Sequence, residues 1–196
     1  MRRQLGTAVL ATIALIVLLG LAYPLVMTGL GQAFFSQQAN GSLVKVGGRT
    51  VGSSLIGQAF SDKAGAPLPQ YFQPRPSAAG NGYDAMASGA SNLGPSNQTL
   101  LQDVKERAVA YRRFNRLPAG TEVPVDAVTS SGSGLDPDIS VANALDQAPR
   151  VAAARGLPPA RVVALVRQHT DGRKWGVLGE KTVNVLDLNI ALDRAG

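Results

Sequence analysis

The organisation of the chain depends on the stretch TAVLATIALIVLLGLAYPLVM (Thr7–Met27). It contains no charged residue and no histidine, and no charge occurs anywhere between Gln4 and Val44. An α-helix rises about 1.5 Å per residue, so roughly 20 apolar residues cross a hydrocarbon core about 30 Å thick. We therefore predict one transmembrane helix, which Pro24 kinks or ends near the outer interface.

A cleaved secretory signal is the alternative, because it would share the short basic start Arg2-Arg3. The apolar region of a signal peptide is usually about 7–15 residues long and precedes a small-x-small cleavage site. The apolar run here is longer, and Ala33–Phe35 and Gln37–Ala39 are poor cleavage sites. The sequence favours an anchor. A free-standing secreted binding protein, released by signal cleavage, is the alternative.

The distribution of positive charge predicts the orientation. Arg2 and Arg3 precede the helix, and the next basic residue is Lys45. Because Lys and Arg flanking a membrane span are retained on the cytoplasmic side, the N-terminus is expected in the cytoplasm. Residues 1–35 then form the anchor in the cell (inner) membrane, and residues 36–196 form one extracytoplasmic domain.

The composition excludes several kinds of site. The chain has no cysteine, so disulfides, thiolate zinc sites and cysteine nucleophiles are excluded. The single histidine, His169, rules out a His-rich metal site, and its place after a predicted helix favours a capping role. Ser133 lies outside any G-x-S-x-G motif, which argues against a hydrolase. The basic residues are scattered, unlike those of a nucleic-acid-binding face. We expect neither an enzyme nor a metal site.

The first part of the domain combines a hairpin with a long irregular segment. Leu43–Val46 and Arg49–Val51 flank the turn Gly47-Gly48, the pattern of a two-residue β-hairpin. The second strand could continue through Ser53–Phe60 after a bulge at Gly52. The segment from Asp62 to Asn97 is rich in Pro, Gly, Ser and Asn. Such a long connection is usually a functional loop or disordered, or else a surface loop held by its aromatic residues.

The remainder is mainly helical and ends on a strand. Helices are predicted at Thr99–Phe114, Val141–Ala154 and Pro159–Gln168, from apolar periodicity and capping residues. Thr99 with Gln102 resembles a capping box, Ser140 is a natural N-cap, and Pro149 should kink the second helix. Thr182–Leu186 is predicted as a strand, with Asp187–Leu192 as a closing helix or strand. This order of elements indicates an α+β domain.

Three longer stretches have a residue pattern that is too distinctive for linker sequence. They are Ser53–Gln58, Tyr71–Ala78 joined to Ser88–Asn97, and Val123–Pro137. Together with Arg150–Ala152, Leu178–Glu180 and Val183–Leu186, they closely resemble the KdpC family, the single-span subunits of the Kdp-type potassium-transporting P-type ATPase. The resemblance runs from the anchor to the C-terminus, in order and at the expected spacing. Ala90 departs from the usual glycine of that family, and Asp138 from its frequent histidine.

The resemblance implies a non-catalytic role in an ATP-driven, high-affinity potassium import complex. The partners would be a potassium-channel-like subunit and an ATP-hydrolysing subunit. Members of the family are described as assembly and stabilising subunits, and as catalytic chaperones that raise the ATP affinity of the pump subunit. The chain lacks a G-x-x-x-x-G-K-[ST] phosphate loop, so we assign it no bound cofactor, and ATP would act through the complex.

Two sets of candidate site residues follow. Ser88, Gly89, Ser91 and Asn92 distantly resemble the signature loop of ABC ATPases, which makes them weak ATP-loop candidates, although turn geometry also explains such residues. Arg75, Asp126, Ser133 and Asp136 are candidate partner contacts, because binding residues concentrate on loops held by a scaffold. The alternative for the segment from Asp126 to Pro137 is again a purely structural turn.

Overall fold

The computed structural model describes residues 2–195. Met1 and Gly196, the outermost residues of the predicted anchor and domain, lie outside this range. The chain divides into two compact units, one ending at Val51 and the other beginning at Gly52. In the first unit, helical structure runs from Arg2 to Phe34, with length and composition sufficient to cross a membrane. The predicted single N-terminal apolar helix is confirmed.

The apolar helix has three consecutive parts. Helix α1 spans Arg2–Leu15, a π-helical segment spans Ile16–Ala22, and α2 spans Tyr23–Phe34. The expected end of the helix at Pro24 was wrong, since helical structure continues beyond it to Phe34. A proline in a helix lacks an N–H and crowds the preceding turn. The wider π-helical segment immediately before α2 accommodates this change in hydrogen bonding.

A hairpin follows the short helix α3 (Ser36–Ala39). Strand β1 (Leu43–Val46) pairs with β2 (Arg49–Ser53). Gly47 and Gly48 have φ angles of 56° and 79°. Positive φ angles are required in a tight two-residue hairpin turn, so the predicted hairpin is confirmed. Its proposed continuation to Phe60 was wrong. The strand ends at Ser53, whose hydroxyl accepts a hydrogen bond from the Leu55 amide (3.2 Å) and turns the chain.

The second unit is an α+β domain, as predicted. Its helices are α4 (Gln98–Asn115), α5 (Val125–Val128), α6 (Val141–Arg155), α7 (Pro159–Gln168) and α8 (Val185–Ala195). Strands β3 (Asp138–Ser140), β4 (Thr170–Asp171) and β5 (Thr182–Asn184) form an antiparallel sheet in the order β3-β5-β4. Ile139 lies opposite Val183 in the register of that sheet, and both side chains are buried.

The core of this unit lies where α6, α7 and α8 pack together and against the sheet. It is formed mainly by Ile139, Ala144, Ala148, Val151, Val162, Val166, Val183, Leu188 and Leu192. Phe72 joins this core and is completely buried, although it comes from the irregular segment between Asp62 and Asn97. That segment is therefore anchored by an aromatic residue.

Several element ends differ from the sequence prediction. Strand β5 stops at Asn184 rather than Leu186, because the Asn184 side chain accepts from the Asp187 amide (3.1 Å) and starts α8. Helix α4 is capped by Asn97, not by Thr99. Helix α6 continues through Pro149 without interruption. The predicted N-cap at Ser140 is confirmed, with its hydroxyl accepting from the Asn143 amide (3.1 Å).

Candidate functional site

Most of the candidate residues meet where two loops cross. We call the segments 75–92 and 131–136 the loop junction. At its edge, Arg75 Nη1 lies 2.9 Å from Asp136 Oδ2, an ion pair that is partly shielded from solvent. The Tyr83 hydroxyl donates to the Arg75 carbonyl (2.6 Å), and burial, followed by the nearby Asp136 charge, raises the pKa of Tyr83. Two partner-contact candidates thus form one fixed pair.

The centre of the loop junction has no room for a side chain at Gly134. Its φ angle is +69°, and a Cβ atom there would lie 2.6 Å from the Gly89 carbonyl oxygen and 2.8 Å from the Ala79 nitrogen. The Ser77 hydroxyl donates to the Gly134 carbonyl (2.6 Å) and accepts from the Tyr83 amide (2.8 Å). The two loops therefore hold each other in a single arrangement.

The weak ATP-loop candidates lie on the same junction. The Ser88 hydroxyl and the Gly89 amide both donate to the Ser133 carbonyl, each at 2.9 Å. Ser91 and Asn92 are exposed, and Asn92 adopts a φ angle of 53° while its side-chain amide donates to the neighbouring Ala90 carbonyl (3.3 Å). Phosphate binding requires donors that point to the ligand. In this geometry the donors of Ser88 and Gly89 instead join the loops.

Asp126 lies apart from the loop junction, on α5. Its carboxylate accepts from the Ser140 amide (2.8 Å), the Ser140 hydroxyl (2.7 Å) and the Asn143 side chain (2.9 Å). A carboxylate at the start of α6 also complements the positive end of the helix dipole. The structure thus brings Arg75, Ser133 and Asp136 together with Ser88 and Gly89, and places Asp126 at a helix start.

A buried polar network centred on Arg150 was missed by sequence reasoning. Only 4% of Arg150 is exposed. Its guanidinium donates to Asn115 Oδ1 (2.9 Å), to Gln147 Oε1 (2.8 Å) and to the carbonyls of Pro69 and Tyr71 (2.9 Å to Tyr71). Within residues 2–195 no carboxylate pairs with it. Burial lowers the pKa of Arg150 to about 10, so the side chain is still cationic at neutral pH.

Two buried amides extend this network along the irregular segment. Gln147 accepts from the Gln73 amide (2.7 Å) and donates to the Gln73 carbonyl (3.0 Å). Asn189 binds the amide and carbonyl of Phe72 in the same way, at 2.9 and 3.0 Å. Side chains of α6 and α8 therefore satisfy backbone groups that no strand pairs. The signal in the sequence was the spacing of Asn143, Gln147 and Arg150, which places polar groups on the core face of α6.

A cleft of about 800 Å³ runs beside the outer face of α4. It is lined by Pro69, Gln102, Lys105, Glu106, Val109, Ala110, Arg113, Phe114, Arg116 and Arg150. Its floor is partly apolar, and the Arg150 guanidinium stacks 4.3 Å from the centre of the Phe114 ring. Lys105, Arg113 and Arg116 of the lining come from α4 and the residue that caps its C-terminal end, and they make the cleft basic.

His169 occupies the C-cap of α7, as the sequence predicted. Its Nδ1 lies 3.0 Å from the Leu165 carbonyl oxygen, within the last turn of that helix. The part of the chain that the structure describes contains no cluster of three or more metal-ligating side chains.

Comparison with known proteins decides the family. A family model described as "KdpC: K+-transporting ATPase, c chain" matches residues 5–194. The chain belongs to the KdpC family. A protein of Mycobacterium tuberculosis (strain ATCC 25618 / H37Rv), named as a potassium-transporting ATPase KdpC subunit, is 56% identical to this chain. The match covers 99% of this chain and all of the relative. The corresponding protein of Acidobacterium capsulatum is 55% identical over 97% of this chain and 98% of its own length.

Membership of the KdpC family confirms the resemblance inferred from the motifs. The match covers most of the apolar helix and nearly all of the α+β unit, and a Rhodospirillum rubrum KdpC subunit is 54% identical over 98% of the chain and 96% of its own length. The KdpC-family chain is thus assigned to potassium transport, as a subunit of a potassium-transporting ATPase.

Proposed function

We propose that this chain is a non-catalytic accessory subunit of an ATP-driven, high-affinity potassium importer, anchored by one transmembrane helix. The observation that carries the proposal is the family match across residues 5–194, which includes the apolar helix as well as the α+β unit. A signal that is removed on secretion would not be expected within the shared region of a membrane ATPase subunit. This favours the anchored subunit over a released binding protein.

The proposed topology places the N-terminus in the cytoplasm and the α+β unit outside it. The support is the position of Arg2 and Arg3 before the apolar helix, with Lys45 as the next basic residue. The α+β unit would then lie on the side from which a potassium importer takes up its ion. In that position it would stabilise the assembly by binding the outer surface of the partner subunits. The proposed partners are the potassium-channel-like subunit and the ATP-hydrolysing subunit, both in the same membrane.

In the proposed chaperone role, this chain changes the ATP affinity of the pump subunit without binding ATP itself. The chain lacks a phosphate loop, and Ser88 and Gly89 use their donors to bind the Ser133 carbonyl. We therefore assign the effect on ATP affinity to coupling through the complex, which typically amounts to about 1–3 kcal/mol. By linkage, ATP bound to the pump subunit should strengthen the association of this chain by the same factor.

Co-purification tests the proposed partnership. The chain carries an affinity tag and is extracted with its membrane in a mild detergent, beside an unrelated tagged single-span protein as the control. We expect two large subunits to be recovered with this chain and not with the control. Recovery of the chain alone, in several mild detergents and with the other subunits present in the membrane, would contradict the proposal.

A further inference from the structure

The cleft beside α4, which we call the α4 cleft, carries positive charge that the domain does not neutralise. Its lining contains one carboxylate, that of Glu106, and four cations, which are Lys105, Arg113, Arg116 and Arg150. Glu106 accepts a hydrogen bond from the Gln102 side chain (2.7 Å). Within residues 2–195, none of the four cations forms an ion pair with a carboxylate. The α4 cleft is therefore suited to an anionic ligand.

Arg150 places one of these charges in a buried position. Only 4% of this residue is exposed, and its hydrogen-bond partners are all neutral: the side chains of Asn115 and Gln147, and two backbone carbonyls. A buried charge is costly unless an opposite charge lies near it. The neutral acceptors hold the guanidinium in place without cancelling its charge. An anion in the α4 cleft would meet a cation that is already ordered, which lowers the entropic cost of binding.

The other three cations follow one face of α4. Lys105, Val109 and Arg113 recur at four-residue steps, which places successive residues about 6 Å apart along the helix axis. Arg116 caps the end of α4 in the left-handed conformation, at a position where α6 has Gly156 instead. The row from Lys105 to Arg116 is about 16 Å long, which equals about five residues of extended peptide. A single compact anion such as phosphate cannot contact both ends of it.

The α4 cleft also offers apolar surface between its cations. Val109 is 65% exposed and lies between Lys105 and Arg113 along the helix. This arrangement fits a segment with carboxylates on both sides of an apolar side chain. A layer of lipid headgroups attracts cations that project from a surface, whereas Arg150 is buried. Nucleic acid is also disfavoured, because the ring of Phe114 is already stacked with the Arg150 guanidinium (4.3 Å).

This chain is poorly suited to supply the anionic segment itself. Residues 1–51 contain neither Asp nor Glu, so the first unit cannot provide a carboxylate. The whole chain has 19 Lys and Arg against 13 Asp and Glu, a formal net charge of +6. Two copies of the chain therefore repel each other on average. The charge balance favours a different protein as the source of the carboxylates.

We propose that the α4 cleft binds an extended acidic segment of another subunit of the potassium-transporting ATPase. The carboxylates of that segment bind Lys105, Arg113 and Arg116, and an apolar side chain between them contacts Val109. The guanidinium groups can each hold a carboxylate through two parallel hydrogen bonds. Arg150 adds a fixed positive charge to the lining. This inference rests on the proposed function, because it requires a partner subunit.

The α4 cleft contains a single lysine, Lys105, which allows a direct test. The purified complex with the unmodified chain is treated with a water-soluble carbodiimide, which joins a lysine amine to a carboxylate in contact with it. We expect mass spectrometry of the digested complex to identify Lys105 joined to an Asp or Glu of another subunit. Lys105→Arg keeps the positive charge but removes the reactive amine, so that product should disappear.

Three results would overturn the acidic-segment site while leaving the proposed function intact. The first is an intact complex in which Lys105 forms no such product. The second is a product that joins Lys105 to a carboxylate of this chain or of a second copy of it. The third is equal coupling at the exposed Lys63, which lies outside the cleft, as a sign of unselective reaction. Failure of the unmodified chain to form any complex would instead contradict the proposed function, and the site with it.

Liposomes that contain this chain alone test a lipid ligand. They are prepared with phosphatidylglycerol or with phosphatidylcholine only, and the rate at which a water-soluble reagent acylates Lys105 is measured. We expect the two rates to agree within about twofold, because the ligand is a protein segment that is absent from both samples. A greater slowing by phosphatidylglycerol would overturn the acidic segment in favour of a lipid headgroup.

Reversal of one charge in the α4 cleft measures its contribution to assembly. Arg113 is exposed, so Arg113→Glu should leave the fold of the free chain intact, as circular dichroism would show. We expect recovery of the partner subunits to fall at least about fivefold with Arg113→Glu and less than about twofold with Arg113→Lys. Arg161→Glu, at an exposed position of α7 outside the cleft, is the matched control. Unchanged recovery with Arg113→Glu, or an equal loss with Arg161→Glu, would contradict the proposed site.

Discussion

At the residue scale, Gly134 controls whether the loop junction can form. Its φ angle of +69° is unfavourable for any side chain, and an added Cβ would meet the Gly89 oxygen at 2.6 Å. The left-handed conformation costs roughly 1–2 kcal/mol, and overpacking typically costs a further 1–3 kcal/mol. We expect Gly134→Ala to lower the free energy of unfolding by about 3 kcal/mol, measured by denaturant titration followed by circular dichroism.

Gly132→Ala is the matched control for that substitution. A Cβ atom at Gly132 would meet nothing within 4 Å, and Gly132 is not among the positive-φ glycines. Its effect should stay within about 0.5 kcal/mol, as for most surface changes. Equal stability losses for the two variants would show that the junction does not constrain Gly134 in the way described.

Arg150 is the second residue on which the fold depends, because one planar side chain binds several groups. Arg150→Lys keeps the positive charge but replaces the guanidinium fork by a single ammonium group. The oxygens of Asn115, Gln147 and Tyr71 then cannot all be satisfied. We expect a loss of about 3 kcal/mol in unfolding free energy. Arg161→Lys, at an exposed position, should change stability little, and a similar loss there would argue against the network.

At the element scale, the residue that caps the start of α4 differs from the one that the sequence suggested. The Asn97 side chain accepts from the amides of Thr99 (2.8 Å) and Leu100 (3.4 Å), which otherwise have no helical partner. We expect Asn97→Ala to lower stability by about 1 kcal/mol. Thr99→Ala should be neutral, because alanine is the better helix former within the helix. Comparing the two thermal unfolding curves checks this, and a larger effect of Thr99→Ala would contradict the assignment.

The same comparison shows how far the sequence could predict the elements. Apolar periodicity and the capping residue Ser140 were sufficient for α6, and the paired prolines at 158 and 159 for α7. The end of β5 was misjudged because Thr182, Val183 and Val185 favour strands by composition, whereas the cap formed by Asn184 starts a helix. Local propensity does not show whether residues 185 and 186 extend the strand or start the helix. The packing of α8 in the core decides between the two.

The candidate site was predictable only in part. Its loops were recognised by their motifs, but the pairing of Arg75 with Asp136 joins residues far apart in sequence. The role of Gln147 and Asn189 depends on an irregular segment that no periodicity describes. The spacing of Asn143, Gln147 and Arg150 indicates polar groups on the core face of α6, but it does not identify the backbone groups that they bind, which follow from the packed fold.

At the scale of the whole molecule, the first prediction concerns topology. Arg2 and Arg3 before the apolar helix should retain the N-terminus in the cytoplasm. Protease added outside intact spheroplasts should therefore digest the α+β unit and leave a short membrane fragment. A cytoplasmic marker protein must stay intact in the same sample. Full protection of the chain until the spheroplasts are lysed would reverse the orientation.

The second prediction for the whole molecule concerns ATP, which an external domain can influence only through the complex. The full-length chain alone should then bind ATP no more tightly than about millimolar, or roughly −4 kcal/mol, as measured by calorimetry in detergent. Asn92→Ala should leave ATP-dependent potassium transport nearly unchanged, because that exposed side chain donates to the neighbouring Ala90 carbonyl and makes no other hydrogen bond within residues 2–195. Ser88→Ala should cost about 1 kcal/mol of stability through its lost bond to Ser133, without a separate effect on ATP affinity. Micromolar ATP binding by the chain alone, abolished by either substitution, would establish a direct nucleotide site and contradict both the coupling and the orientation.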